Sequence, residues 1–188
     1  AAVGFTVSEM RVGGCSAEEL RACHCDAAEL YNGGFGGKQL RAVGLTATQL
    51  KSAGVPPKEL RTAARFSASE LHHIGCTLVE LREAGFPLKQ LASEVGFTAE
   101  NFRHAGFAAD ELEDVGFSSK QLRDCGYSTE EMAKCSFTAD EFRKAGFTAV
   151  ELRQQLGLTA KELVEGGFTL QELRQGGFTV WQLNGLGI

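Results

Sequence analysis

The chain has 188 residues, 43% of them hydrophobic, enough apolar material for a substantial core. Its formal net charge of −5 lacks the basic footprint that phosphate-backbone recognition demands, so nucleic acid is not an expected partner. No apolar run reaches membrane-spanning length, which leaves docking against a membrane complex as the only membrane role expected.

A ten-residue unit recurs eighteen times from Phe5 to Gly187, as in Phe97-Thr98-Ala99-Glu100-Asn101-Phe102-Arg103-His104-Ala105-Gly106. Counting from its Phe, position 2 is Ser, Thr or Asp in fourteen copies, and position 5 is Glu, Gln or Asn in all. That is capping-box spacing: the side chain at 2 accepts from the amide three residues on, and the acid reaches back. Position 10 is Gly in fifteen copies, the residue that most easily takes the left-handed turn ending a helix. Each unit therefore carries its own start and stop around a helix of about six or seven residues. Position 6 is Leu, Met or Phe throughout, and position 1 is Phe in eleven copies. Position 1 follows one helix and precedes the next, so it can pack on the position-6 side chains of both. Helices this short do not survive alone, and stacking of positions 1, 3, 6 and 9 must hold them. The fold expected is an all-α solenoid of about eighteen short capped helices, one per repeat, with residues 1–188 forming a single array.

Along the chain, Ala1-Ala2-Val3-Gly4 reads as the tail of a further repeat, and Ile188 as the first slot of another; both suggest a segment of a longer array. Cys15, Cys23, His24 and Cys25 form the most metal-like cluster, but their spacing is not that of a structural zinc site. In the repeat frame all six cysteines fall at positions 1 or 9, which reads as core thiols. A disulfide at Cys15/Cys25 or Cys125/Cys135 and a metal site are the alternatives. Gly33-Gly34-Phe35-Gly36-Gly37 reads as a degenerate repeat with extra flexibility, without the ending of a phosphate-binding loop. Pro56-Pro57 and Pro87 sit where a helix start tolerates a missing donor. The copies ending at Arg65, Gly96 and Gly157 have eleven residues; being the sixth, ninth and fifteenth, they suggest three helices per superhelical turn. His72-His73 reads as a solvated pair.

Position 7 is Arg or Lys in eleven copies, including Arg11, Arg21, Arg41, Arg61, Arg82, Arg103, Arg123, Arg143, Arg153 and Arg174. These cations complement helix C-termini and can form a ladder; they read as a solvated rim or as a binding stripe for acidic surfaces. Trp181, at the polar position 4, reads either as an interface anchor or as a cover over the end of the stack.

Apolar residues every five positions, as in Ala145-Gly146-Phe147-Thr148-Ala149, loosely resemble pentapeptide-repeat proteins, whose coils build a square β-helix. That resemblance implies an acidic mimic of nucleic acid, the third reading of function. The alternate half-units do not fit, because Glu18, Lys38, Lys120, Gln171 and Trp181 occupy the slot that should be small. The unit AGF(S/T)xxEL(R/K) itself resembles decapeptide arrays in uncharacterised proteins of algae and other protists. That likeness covers the whole chain, carries no activity and no functional residues, and implies an accessory or scaffold part in an organellar assembly. The function expected is a non-enzymatic scaffold that contacts other protein subunits, with no catalytic residue and no cofactor. A ligand, metal or cofactor module around Cys15–Cys25 is the second reading.

Overall fold

A computed structural model describes residues 4–185; Ala1–Val3 and Leu186–Ile188, and the readings placed on them, lie outside it. Among the described residues there is no strand, which overturns the β-helix reading, and seventeen short α-helices run in chain order. They fall into two compact units, Ala1–Gly96 and Phe97–Ile188. The first holds Val7–Val12, Ala17–Ala22, Ala27–Asn32, Gly37–Ala42, Ala47–Ser52, Pro57–Thr62, Ala68–His73, Leu78–Glu83 and Leu88–Gln90. The second holds Ala99–His104, Ala109–Val115, Ser119–Asp124, Ala139–Lys144, Ala149–Leu156, Ala160–Glu165, Leu170–Gln175 and Val180–Asn184. Repeat 13 alone forms a 3₁₀ turn, Glu131–Lys134.

Repeat 14 shows how one unit closes on itself. The Thr138 amide donates to Glu141 Oε2 at 2.7 Å, and the Glu141 amide donates to Thr138 Oγ1 at 3.3 Å. At the other end the Gly146 amide donates to the Arg143 carbonyl and the Phe147 amide to the Phe142 carbonyl, at 2.8 and 3.0 Å. That pair is a Schellman turn, and Gly146 holds the left-handed φ of 88° it requires. The Phe142 ring meets Phe137 edge-on at 5.8 Å before the helix and Phe147 at 5.3 Å after it. Position 1 thus packs on the position-6 ring that follows it, as Phe137 does, and on the one that precedes it, as Phe147 does. Thirteen helices carry the same reciprocal cap with a Ser, Thr or Asp side chain.

Position 6 is the axis of the core. Leu30, Leu40, Leu50, Leu60, Leu71, Leu81 and Leu91 are fully buried in the first unit, as are Phe102, Leu112, Leu122, Met132 and Leu152 in the second. Each contributes roughly 1.5–3 kcal/mol of burial, against the nucleation cost its helix cannot meet alone.

The helix seated on each helix is the one two repeats on, not three. Repeats 1 and 3, 3 and 5, and 6 and 8 pack together in the first unit; 12 and 14, 14 and 16, and 15 and 17 do so in the second. The contact sets position 3 of one repeat against position 9 of the second after it. Where that approach is closest, position 9 is Gly: a Cβ on Gly33 would strike Val7, and one on Gly166 would lie 2.5 Å from Ala139 Cβ.

The eleven-residue copies absorb their extra residue inside the helix or its turn. Repeat 9 does so as a π-turn, Leu91–Val95, and repeat 15 by lengthening its helix to eight residues. In repeat 6 the Phe66 amide reaches back six residues to the Leu60 carbonyl, and Arg65 takes a left-handed φ of 56°.

Two outcomes follow. Gly166→Ala forces Cβ against Ala139 and should lower stability by about 1–3 kcal/mol in urea unfolding. Gly176→Ala, whose Cβ would press on Ala149 Cβ at 3.1 Å rather than 2.5 Å, should cost less. The second concerns pH. The amides of Thr6, Ser16, Ser67, Thr77, Ser128, Thr159 and Thr169, followed by their hydroxyls, hold the carboxyls of Glu9, Glu19, Glu70, Glu80, Glu131, Glu162 and Glu172 below their ordinary 4.5. A carboxyl lowered on folding stabilises the folded state fully above its unfolded value. That stability is lost as pH falls through the folded value, so the thermal midpoint should drop progressively below pH 4.5. Glu162→Gln keeps the acceptor, as Gln121 and Gln182 do natively, and should flatten that dependence.

Candidate interaction surface

Most of the position-7 cations are spent inside the stack. Arg153 donates from Nη1 to the Gly176 carbonyl at 2.9 Å, and its guanidinium lies 4.5 Å over the Phe178 ring. Arg61 does the same with the Ala84 carbonyl at 3.0 Å and the Phe86 ring at 4.8 Å. Arg41 donates to the Ala64 carbonyl and covers Phe66; Arg123 reaches Ala145 at 3.4 Å and covers Phe147 at 4.2 Å. Arg11 bonds Gly33, Arg143 bonds Gly166, and Lys51 bonds Ile74. Each acceptor closes the helix two repeats on, so the cation neutralises the negative end of a neighbouring helix, and at Arg41, Arg61, Arg123 and Arg153 its plane also shields an aromatic ring. Arg103 covers Tyr127 at 4.6 Å and pairs with Glu131 at 3.5 Å. These side chains are thus neither a solvated rim nor a free stripe. Among the ten arginines, Arg11, Arg82 and Arg174 are exposed and the other seven half-buried.

Where the repeat departs from its pattern, a partner departs with it. Repeat 13 lacks the terminal Gly, its Cys135 stays extended, and the Ser136 amide is left outside a Schellman turn. At the position 7 that faces this turn stands Glu113 rather than Arg, and it accepts from that amide at 2.8 and 2.9 Å. Pro56 has no amide for Glu59 to cap, so Glu59 instead accepts from the Gly37 amide at 2.6 Å and from the Tyr31 hydroxyl at 3.1 Å. Gly33 through Gly37 is therefore a packed segment, not a flexible one.

The position-1 row reflects this cover. In the second unit Phe107, Tyr127, Phe147 and Phe168 are buried, while Phe117, Phe137 and Leu158 are half-buried. The position-7 residues that precede Phe137 and Leu158 by the arginine spacing are Glu113 and Ala133, neither of which can cover a ring.

The six cysteines are free thiols, and only Cys76 is buried. Cys23 is exposed, contrary to its expected core slot, because no described repeat stands two before it to fill position 9. Cys23, His24 and Cys25 do line one groove of about 540 Å³ with Phe5, Met10 and Glu29. No three His, Cys, Asp or Glu side chains among the described residues form a group that could hold a metal ion. Burial, then the nearby carboxylates of Glu113, Asp110 and Asp114, pushes the Cys135 thiol up to about 12; burial likewise raises Cys25, Cys76 and Cys125. Raised thiols are poor nucleophiles at neutral pH. His73 bonds the Ser69 carbonyl of its own helix at 2.7 Å, and His72 approaches the Cys76 carbonyl at 3.3 Å, so the two turn to different partners.

Trp181 is 85% exposed, so it does not cover the stack, and Leu170 and Val180 are exposed as well. Sequence reasoning marked Trp181 by its composition; the two aliphatic neighbours are distinguished only by their bulk at a position usually held by Ala. No helix among the described residues is long and apolar enough to cross a membrane.

Arg153→Ala should cost about 1–2 kcal/mol in urea unfolding, through the lost charged hydrogen bond and ring contact. Arg174→Ala, exposed and outside this network, should leave the midpoint unchanged.

A family model described as "Decapeptide repeat region" matches residues 4–64, 58–129 and 116–188. No curated protein and no solved structure matches the chain.

Proposed function

The chain belongs to the decapeptide repeat region family, and on that premise we propose that it is a non-enzymatic scaffold, a structural or accessory subunit that contacts other proteins. One observation carries this reading: the recurring polar groups that could do chemistry are consumed by the repeat itself. Position-5 carboxylates cap their own helices, and the position-7 cations clamp the turns of later repeats. What stands out from the surface is apolar, with Trp181 the strongest anchor candidate. We take residues 1–188 as one array, because the same capping and turn pattern recurs on both sides of Gly96.

The charge distribution supports protein partners over nucleic acid. The first unit carries ten acidic and ten basic residues, and the second carries fourteen acidic against nine basic, so the whole net charge belongs to residues 97–188. An acidic surface repels phosphate backbones.

Crosslinking mass spectrometry on the native protein, after gentle sizing of its source extract, tests the proposal. Co-migration with a large assembly is expected, with crosslinks on one face and near Trp181. Migration alone at its own mass, or a stoichiometric metal or chromophore in the purified chain, would sink it.

A further inference from the structure

Grooves between alternate repeats share one construction, and the groove between repeats 14 and 16 lacks a group that its equivalents have. Repeats 3 and 5 frame about 590 Å³, repeats 11 and 13 about 440 Å³, and repeats 14 and 16 about 490 Å³. Position 1 of both repeats lines each groove: Cys25 and Leu45, Phe107 and Tyr127, Phe137 and Leu158. The first two also hold the position-7 residue that stands three repeats before the later one, Arg21 and Arg103. For repeats 14 and 16 that position is Ala133, which is exposed and ends at Cβ. Matched residues show the consequence. Leu45, with Arg21 in its groove, is 3% exposed, whereas Leu158 at the same position is only half-buried.

An acid is left over as well. Position 7 of a repeat meets position 5 of the third repeat on. Arg41 lies 4.0 Å from Glu70, Arg103 lies 3.5 Å from Glu131, and the Tyr31 hydroxyl donates to Glu59 at 3.1 Å. By that spacing the partner of Ala133 is Glu162. Its Oε2 accepts from the Thr159 amide and hydroxyl, and among the described residues no cation reaches it. Asp140 and Glu165, which also line the groove, pair with Arg143 and Lys144 and with Lys161. The groove of repeats 11 and 13 sets Arg103 and Lys134 against three carboxylates; that of repeats 14 and 16 sets no cation against its three. Beside Phe137, Glu113 on the Ser136 amide adds a further acid.

We propose that this groove receives an arginine side chain from a partner protein, seated where position 7 of repeat 13 would otherwise place one. The guanidinium meets Glu162, and its flat, weakly hydrated faces cover Leu158 and Phe137. The surplus of carboxylates draws a basic segment rather than an acidic one. This deepens the scaffold reading and rests on it, by stating what the partner brings.

Amide chemical shifts of the purified 188-residue chain, titrated with a blocked Ala-Arg-Ala tripeptide, test it. Shifts centred on Thr138, Asp140, Glu162 and Gly166 are expected, saturating at roughly millimolar peptide. The citrulline peptide, equal in shape but uncharged, should leave them unmoved. Ala133→Arg supplies the side chain from within, so it should raise the unfolding midpoint and abolish the response. Glu162→Gln keeps the helix cap and should weaken binding at least about threefold. No response in the native chain, or a response that either folded variant leaves unchanged, overturns the proposal. So do shifts at these residues on concentrating the chain alone, which would make a second copy the source of the arginine. A negative titration strikes the groove alone, whereas lone migration on sizing strikes the scaffold reading whatever the titration gives.

Discussion

A helix of six residues has almost no backbone hydrogen bonds of its own to offer, because the first four amides and last four carbonyls of any helix lack partners within it. Everything in this protein answers that constraint. The capping box satisfies amides at the start, the Schellman turn satisfies carbonyls at the end, and one residue between consecutive helices serves both. Phe142 shows the packing side of the same device, with Phe137 and Phe147 meeting its ring from either end. Local hydrogen bonding and local burial thus coincide in a ten-residue unit, and that coincidence lets helices below the usual length persist.

Stacking supplies the rest through a second, longer-range contact. A position-7 cation crosses to the turn two repeats on, where it meets a carbonyl and an aromatic face together, a pairing suited to the planar guanidinium. The exceptions reinforce the rule. Glu113 stands where repeat 13 offers an amide in place of a carbonyl, and Glu59 turns to Gly37 where Pro56 offers no amide at all. In both cases an acid follows the donor, so the backbone amide that departs from the pattern is still paired. Irregular repeats in this chain are compensated rather than decayed.

The same economy bears on function. Titratable groups whose pKa is lowered are capping carboxylates and Asp140, which pairs with Lys144 and Arg143; those raised include thiols shielded by burial. Neither pattern resembles an acid–base pair poised for proton transfer, in which environments push two neighbouring groups in opposite directions. With polar groups engaged in holding the array, the large side chains left exposed among the described residues are apolar ones such as Val12, Leu170, Val180 and Trp181.

Helix starts, helix ends, the buried role of position 6 and the packing of position 1 against it were all legible in the sequence. Each depends on residues no more than about five apart, so side-chain chemistry at fixed spacing specifies it. The β-helix rival failed on the same local evidence. What tertiary structure decided lies at separations of twenty or more residues: that alternate repeats stack, that Arg153 belongs to Gly176, that Cys23 is exposed, and that Gly33 and Gly37 are packed. These follow from the rotation between successive helices. That rotation is the summed result of turn geometry and core volume, and no single repeat contains it.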